Sequence, residues 1–317
     1  MACDETDLVL ELPDGRAVCV WTGGDPDGAP ILYHHVTPAG RLQARIGHHA
    51  ARRRGVRLIS FNRPGYGGSA MSAPGLASVG ADTLAVADLV GVGKFGVLGV
   101  SGGGPFALAT GLADPARVRA VGVAAGIGPW RTIEPPDFEP DEREILRLVD
   151  GGDVEGAVSA YVEQGSLAFG RMLHLDDAAM VEEFFSSDAT ADRGWLDDAA
   201  KVQLAAALRD GLQTLDGFAR DNVSWGGDWD IDVAGLTVPT WLWYGVEDQM
   251  VPPYHGRWLA RRISDATFVL RGSRSHGGTI FGYWDDMLVT LRDQILDDTI
   301  PRSFRAQRPP RPPDIGR

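Results

Sequence analysis

Short apolar runs alternate with helical patterns near both ends of the chain, and this alternation constrains the fold more than any other feature. The apolar runs with strand-like composition lie at 31–33, 56–61, 95–100, 118–124, 240–244 and 266–270. Helical spacing occurs between or after them, at about 79–90, 106–112, 254–263 and 279–295. Strands that alternate with helices form parallel βαβ units, and helices then cover both faces of the sheet. The sequence therefore predicts an α/β fold with a mostly parallel sheet.

A helical region interrupts this alternation between the runs at 118–124 and 240–244. Helical spacing occurs there at 141–149, 154–169, 178–185 and 198–219, with no convincing strand pattern. We therefore predict an α/β core whose second part follows an inserted, all-helical cap. The predicted parts are the first part of the core (1–129), the helical cap (130–235), the second part of the core (236–297) and a flexible Pro- and Arg-rich tail (298–317).

Acidic residues are concentrated in the predicted cap. The whole chain has a net charge of −13, and residues 133–232 hold 24 acidic and 7 basic residues. A surface of this charge repels phosphate backbones and anionic membranes, so neither nucleic acid nor a membrane is expected as a partner. Most of these carboxylates are expected on solvated faces of helices.

The beginning of the chain and its two cysteines indicate a compartment. The first residues, MACDETDLVLEL, are acidic and have no basic region before an apolar stretch, so they do not predict a signal peptide. No stretch approaches the roughly 18 apolar residues of a membrane-spanning helix. Cys3 and Cys19 are therefore expected to be free thiols, and the protein is predicted to be cytoplasmic.

The segment Gly99-Val100-Ser101-Gly102-Gly103 fits the pattern G-x-S-x-G, where a predicted strand meets a predicted helix. In such a nucleophile elbow the serine has strained backbone geometry, and small residues two positions away on either side prevent clashes. The N–H groups at the start of the helix favour a developing oxyanion. A phosphate-binding loop is the alternative, but the G-x-G-x-x-G spacing and a Walker lysine are absent. Ser101 is therefore the candidate nucleophile.

A serine hydroxyl needs a base, and the base needs a third group to orient it. His276 lies between the last predicted strand and the last predicted helix, and Asp248 follows the strand that ends at Tyr244. Segments that follow parallel strands project at the same sheet edge as the elbow, so these side chains are expected to meet Ser101. Glu247 is the second choice for the acid. The chain order Ser, Asp, His is that of the α/β hydrolases.

Together with the segment 61–69, FNRPGYGGS, these residues make the chain resemble the α/β-hydrolase fold superfamily. The segment is similar to the family's D-R-P-G-x-G-x-S loop, and the resemblance covers about residues 7–296. It implies that Ser101 is the nucleophile, His276 the base and Asp248 the orienting acid. Haloalkane dehalogenases and epoxide hydrolases of this fold use an aspartate nucleophile. The serine therefore favours acyl chemistry over alkyl displacement.

The family's H-G-x-P oxyanion loop corresponds here to His35-Val36-Thr37-Pro38, in which valine replaces the glycine. The resemblance implies that the N–H groups of Thr37 and Gly102 form the oxyanion hole, although Val36 restricts the backbone beside Thr37. We interpret His35 as a structural support of this loop. A metal site built from the pairs His34-His35 and His48-His49 is disfavoured, because the side chains of adjacent residues diverge.

The resemblance and the cap together predict a carboxylesterase-like serine hydrolase of the EC 3.1.1 class. Its substrate is expected to be a small, neutral or hydrophobic acyl compound, and no metal or organic cofactor is implied. Aromatic cap residues are expected to form the roof of the pocket. An aminopeptidase of the proline-iminopeptidase type, a perhydrolase, a C–C bond hydrolase and a hydrolase-like small-molecule sensor remain alternatives. The residues predicted to line the pocket are His35, Val36, Trp130 and Val251.

Overall fold

The computed structural model describes residues 5–133, 140–188 and 194–297. The eight strands are β1 (Thr6–Glu11), β2 (Ala17–Gly24), β3 (Ala29–His34), β4 (Val56–Phe61), β5 (Phe95–Val100), β6 (Val118–Ala124), β7 (Thr240–Gly245) and β8 (Ala266–Arg271). They form one sheet in the order β1-β2-β4-β3-β5-β6-β7-β8. The β1–β2 and β2–β4 pairs are antiparallel, and the other pairs are parallel. The predicted α/β fold with a mostly parallel sheet is confirmed.

Helices pack on both faces of this sheet. Including those inserted between β6 and β7, the helices in chain order are α1 (His48–Arg53), α2 (Leu76–Leu89), α3 (Gly104–Ala113), α4 (Trp130–Ile133), α5 (Pro140–Asp150), α6 (Val154–Phe169), α7 (Asp177–Phe184), α8 (Asp198–Gly211), α9 (Asp216–Gly226), α10 (Tyr254–Arg262), α11 (His276–Phe281) and α12 (Trp284–Leu296). Successive residues of a strand point to opposite faces. Tyr33 and Leu98 accordingly belong to the core cluster with α12, whereas their neighbours Leu32 and Val97 belong to the cluster with α2 and α3.

Helices α4 to α9 lie between β6 and β7, and no strand interrupts the described residues of that interval. We refer to residues 130–235 as the helical segment. The sequence predicts a single helix over 198–219, and this prediction was wrong, because α8 ends at Gly211 and α9 begins at Asp216. Between them Thr214 Oγ1 donates a hydrogen bond to the Gly65 carbonyl, at 3.2 Å. The break between the two helices therefore lies against the core loop that follows β4.

The last predicted helix, over 279–295, is also divided in the structure. Helix α11 begins at His276, and Gly282 and Tyr283 separate it from α12. The Ser275 side chain accepts a hydrogen bond from the N–H of Gly278, so it acts as the N-cap of α11. His276 is therefore the first residue of a helix and not part of a loop. A serine is a typical N-cap residue, so the one immediately before His276 could have indicated this start.

The structure also bears on the expectations about membranes and thiols. None of the helices in the described ranges has both the length and the apolar character needed to cross a membrane. Cys19 is a buried free thiol, as predicted. Cys3 and the predicted tail at 298–317 lie outside the described residues.

Candidate active site

Ser101 lies at the turn between β5 and α3, and its backbone has a φ of +51°. Residues other than glycine rarely adopt this left-handed conformation, so the geometry is strained. The turn leaves no room for side chains on two of its glycines. A methyl group on Gly99 would overlap the Gly103 carbonyl, and one on Gly103 would overlap the His34 carbonyl. The structure thus explains why small residues stand two positions away from the serine on either side.

A continuous path of hydrogen bonds joins Asp248, His276 and Ser101. The distance from His276 Nε2 to Ser101 Oγ is 3.0 Å, and the distance from His276 Nδ1 to Asp248 Oδ2 is 2.8 Å. Because an ionised carboxylate only accepts, Nδ1 carries the proton and Nε2 accepts from the serine hydroxyl. The N–H groups of Met250 and Val251 donate to Asp248 Oδ1, at 3.0 and 2.8 Å. The structure therefore brings the three predicted side chains together in the predicted order.

The surroundings of His276 stabilise its protonated form. The side chain is 2% exposed, and this burial by itself lowers its pKa. The Asp248 carboxylate opposes burial through its charge and its hydrogen bond, and the charge of Asp188 adds to its effect, so the pKa of His276 lies above its ordinary value. Glu247, the second choice for the acid, is not the carboxylate that bonds to the imidazole. An imidazolium formed at this position is therefore favoured by two carboxylates.

Thr37 and Gly102 lie against each other beside Ser101. A methyl group on Gly102 would stand 2.5 Å from Thr37 Oγ1 and 3.4 Å from the Thr37 backbone nitrogen. The N–H of Val36, the residue that replaces the glycine of the family loop, donates to Gln43 Oε1 at 2.8 Å. The backbone at the valine is therefore held by a buried side chain. The two residues implied as oxyanion donors occupy one corner of the site.

A buried ion pair supports the loop that carries Thr37. The Arg63 guanidinium donates to both carboxylate oxygens of Asp221 and also to the His35 carbonyl, at 2.8 Å. The hydroxyls of Thr37 and Tyr66 donate to Asp221 Oδ2, at 2.6 and 2.7 Å. Asp221 lies on α9, so the helical segment supplies the carboxylate that holds this core loop. No pattern around Asp221 in the sequence distinguishes it from the other acidic residues of the segment.

The family of the chain follows from a comparison with family models. The model described as the alpha/beta hydrolase fold matches residues 29–282. The chain belongs to the α/β-hydrolase fold family. The resemblance inferred from the sequence motifs is therefore confirmed. No curated protein matches the chain.

Solved structures with the same fold carry names for different reactions. The chain is similar to an alpha/beta hydrolase fold protein from Nakamurella multipartita, with 21% identity and a TM-score of 0.62 over 92% of this chain and 99% of that chain. A thermophilic esterase from Thermogutta terrifontis has 16% identity and a TM-score of 0.62 over 92% and 99%. A bromoperoxidase from Bacillus anthracis has 16% identity and a TM-score of 0.63 over 91% and 100%. At these identities the likeness shows the fold, and the reaction must be argued from the site.

Two adjacent histidines of the chain are buried beneath the site. Burial, followed by the charge of Arg63, holds the pKa values of His34 and His35 well below the ordinary value, so both rings are neutral. His35 Nδ1–H donates to the Val36 carbonyl at 2.8 Å, and the His35 ring lies edge-on to Tyr66. These contacts support the interpretation of His35 as a support of the oxyanion loop.

A pocket of about 310 Å³ lies beside Ser101 and His276. Of the predicted pocket residues, Val36 lines it. His35 and Val251 are not among the described residues of this wall, and both side chains are buried. The Trp130 side chain lies outside the described part of the chain. The helical segment contributes Ala168, Phe169, Met172, Glu183, Phe184, Phe185, Ser186 and Ser187 to the wall.

The aromatic residues of the helical segment serve different purposes. Phe169, Phe184 and Phe185 line the pocket, as the predicted roof requires. Trp195 instead stacks on Phe281 of α11, with ring centroids 5.3 Å apart and an interplanar angle of 14°. Tyr161 and Phe218 pack edge-to-face in a separate cluster within the segment.

Three carboxylates of the helical segment are buried, so they are not among those expected on solvated helix faces. Asp188, Asp210 and Asp221 are 4%, 8% and 3% exposed. Asp210 accepts hydrogen bonds from Arg41 and Asn62 of the core. Each of the three is bonded to a core element near the site, so part of the acidic character of the segment serves to attach it to the core.

Proposed function

We propose that this chain is a serine hydrolase that cleaves the acyl bond of small, uncharged esters. The observation that carries the proposal is the hydrogen-bonded path from Asp248 through His276 to Ser101, whose serine has a φ of +51°. This arrangement contains a nucleophile, a base whose acceptor nitrogen faces the nucleophile and a group that orients the base. Family membership and the esterase among the similar structures support hydrolysis in general.

The first half of the proposed reaction forms an acyl-enzyme. Ser101 Oγ attacks the carbonyl carbon while its proton passes to His276 Nε2, and the carbonyl π electrons move onto the oxygen. The N–H groups of Thr37 and Gly102 bind this oxyanion. When the tetrahedral intermediate collapses, the bond to the alcohol oxygen breaks, and His276 returns the proton to that oxygen. Asp248 keeps the imidazole in the required tautomer and stabilises its charged form.

The second half releases the acid. A water molecule gives a proton to His276 Nε2 and attacks the acyl carbon, so a second tetrahedral intermediate forms. Its collapse breaks the bond to Ser101 Oγ, which takes the proton from His276. The products are a carboxylic acid and the free enzyme, and no electrons are transferred to or from an external reagent.

The pocket supports a small acyl group. Its volume of about 310 Å³ is at the lower end of the range of about 300–1,000 Å³ for small-molecule sites. Apolar side chains form most of the wall beside Ser101, including Phe169, Met172, Phe184 and Met250. Acetyl to butyryl esters and small aromatic esters are therefore the expected substrates.

The charge of the pocket favours neutral or cationic substrates over anionic ones. Among the described wall residues, Glu183 is the one carboxylate, and neither lysine nor arginine is present. Arg131, one of the arginines of the helical segment, instead pairs with Asp150 at 2.8 Å. The same Glu183 favours a second candidate function, an aminopeptidase that holds a substrate ammonium group beside the scissile amide.

A fluorophosphonate probe tests the proposed nucleophile. We expect one label per chain, on Ser101, and we expect Ser101→Ala to remove both labelling and ester hydrolysis while the circular dichroism spectrum stays unchanged. Peptide mapping that places the label on another serine would overturn the assignment. Ester hydrolysis that persists in Ser101→Ala would also overturn it.

A substrate panel separates the two candidate functions. p-Nitrophenyl esters of increasing acyl length should give the highest kcat/KM between acetyl and butyryl. Aminoacyl-p-nitroanilides should react slowly. A preference for the nitroanilides with a free amino group would favour the aminopeptidase. A chain that binds ligands tightly but turns over activated esters very slowly would instead be a sensor.

A further inference from the structure

Asp188 of the helical segment binds the backbone that carries the candidate base. Its Oδ1 accepts a hydrogen bond from the N–H of His276 at 3.0 Å, and its Oδ2 accepts one from the N–H of Gly277 at 2.8 Å. The carboxylate is 4% exposed, and 88 residues separate it from His276 along the chain. Both carboxylate oxygens are thus engaged with two consecutive N–H groups next to the imidazole.

These N–H groups belong to the first turn of α11. The N–H groups of a first turn have no hydrogen-bond acceptors within the helix. Asp188 satisfies those of His276 and Gly277, and the Ser275 hydroxyl satisfies that of Gly278. Gly277 has no room for a side chain, because the Trp195 ring of the helical segment lies against it. The segment therefore covers the start of α11 with both a carboxylate and an aromatic ring.

Asp188 is also directly connected to the pocket wall. The five consecutive residues 183–187 line the pocket, and Asp188 is the next residue. The turn is closed by the N–H of Asp188, which donates to the Phe185 carbonyl at 3.0 Å. A short hydrogen-bonded turn therefore carries both part of the pocket wall and the carboxylate that accepts a hydrogen bond from the His276 N–H.

The charged groups around His276 come from several elements. Asp248 approaches from the segment after β7, Asp188 from the helical segment, and Glu183 lies on the pocket wall. Arg274, two residues before the histidine, donates from Nε to the Tyr283 hydroxyl at 2.8 Å. The charge of Asp188 is one of the contributions that raise the pKa of His276. Asp188 therefore acts on the imidazole through its charge as well as through the backbone.

We propose that Asp188 is a positioning residue that orients the His276 imidazole toward Ser101. Because Asp188 directly follows the pocket wall at 183–187, this orientation is linked to the position of that wall. The inference rests on the proposed function, because it assigns a base role to His276. Fixing two consecutive N–H groups fixes the Cα of His276 and so the direction of its side chain. Misplacement of a reacting group by about 1 Å can lower a rate by roughly 10²-fold.

The variant Asp188→Asn tests the proposal, because it removes the charge and turns one acceptor into a donor that faces an N–H group. With p-nitrophenyl acetate we expect kcat to fall by about 10- to 100-fold with KM nearly unchanged. The acidic limb of the kcat/KM profile should move to lower pH, because a negative charge near the imidazole is lost. Glu182→Gln is the matched control, since it removes an exposed carboxylate from α7 and should leave both properties unchanged.

Nuclear magnetic resonance of the His276 Nδ1 proton gives a measurement that does not need turnover. In the wild type this proton is expected to be protected by its bond to Asp248 and to titrate at higher pH than in Asp188→Asn. Asp188→Glu, which keeps the charge, should retain the higher titration point even where its kcat is reduced. This variant also keeps the proposal testable if Asp188→Asn fails to fold.

An Asp188→Asn enzyme with wild-type kcat, pH profile and Nδ1 titration would overturn the inference. Equal effects of Asp188→Asn and Glu182→Gln would also overturn it, because general charge would then explain them. Failure of the proposed function is a separate result, since it would appear as ester turnover by Ser101→Ala.

Discussion

The parallel core and the helical segment both reach the candidate site, but they contribute different kinds of groups. Ser101, Asp248 and His276 follow β5, β7 and β8 and lie at one edge of the sheet. The segment contributes Asp188 and Asp221, which bind the backbone of α11 and the loop of Thr37. Changes in the core should therefore affect the rate of the chemical step. Changes in the segment should affect stability, alignment and the choice of substrate.

The two buried carboxylates of the segment also differ from each other. Asp221 forms an ion pair with Arg63, whereas Asp188 accepts from backbone N–H groups. Removing one member of a buried ion pair leaves an uncompensated charge, which is strongly destabilising. When a carboxylate that accepts from backbone N–H groups is removed, the groups that lose their partner are neutral. Asp221 is therefore expected to matter more for folding, and Asp188 more for the geometry of the base.

The largest expected effect belongs to the core. Asp248→Asn should lower kcat by about 10⁴-fold, because the imidazole then loses the acceptor that fixes its tautomer. Steady-state kinetics with a p-nitrophenyl ester measure the effect. Glu247→Gln is the neighbouring control and should change kcat little. If the two effects were reversed, Glu247 would be the orienting acid.

The next effect belongs to the helical segment and concerns stability. Asp221→Ala should lower the free energy of unfolding by about 3–5 kcal/mol, because Arg63 remains buried and unpaired. Denaturant titration of the wild type and the variant measures the difference. Asp228→Ala, which removes an exposed carboxylate just beyond α9, should change stability by less than about 0.5 kcal/mol.

A double replacement sharpens this prediction. Arg63→Met combined with Asp221→Leu removes both charges, so it should be less destabilising than Asp221→Ala alone. A double variant that is as unstable as the sum of the two single variants would show that the ion pair is not the cause. The segment would then be attached mainly by its apolar contacts.

A smaller effect is expected from pH. The pKa of His276 is raised, and the imidazole must be neutral to accept the serine proton. Below the raised pKa, kcat/KM should fall by about tenfold for each pH unit, and the midpoint should lie above the ordinary value for histidine. The pH profile with a neutral ester measures this midpoint. A midpoint at or below the ordinary value would contradict the stabilisation of the imidazolium by Asp248 and Asp188.

The smallest effect is expected from the charge of the pocket wall. For two esters of equal size, the neutral one should have a higher kcat/KM than one that carries a distant carboxylate. Glu183→Gln should reduce this preference by a few-fold, whereas Glu182→Gln should not. Salt should also reduce it, since charges are screened over about 10 Å at 0.1 M salt. Preference for the anionic ester at low salt would contradict this interpretation.

The sequence predicted the parts of the molecule that depend on neighbouring residues. Apolar runs are local features, so the strands β4, β5 and β6 were predicted with the bounds that the structure has. The G-x-S-x-G spacing has a local cause at Gly99, which lies against the Gly103 carbonyl of the same turn, whereas Gly103 lies against the His34 carbonyl at the end of β3. The predicted meeting of Ser101, Asp248 and His276 follows from a further rule, that parallel strands end at the same edge of a sheet.

Only the tertiary structure decided which acidic residues of the segment matter to the site. In the sequence, nothing distinguishes Asp188 and Asp221 from the other acidic residues between 133 and 232. Their distinction is that folding places one against the N–H groups of His276 and Gly277 and the other against Arg63. The division between α8 and α9 and the burial of His35 and Val251 have the same origin. These features depend on contacts between distant parts of the chain, and no local pattern of residues specifies such contacts.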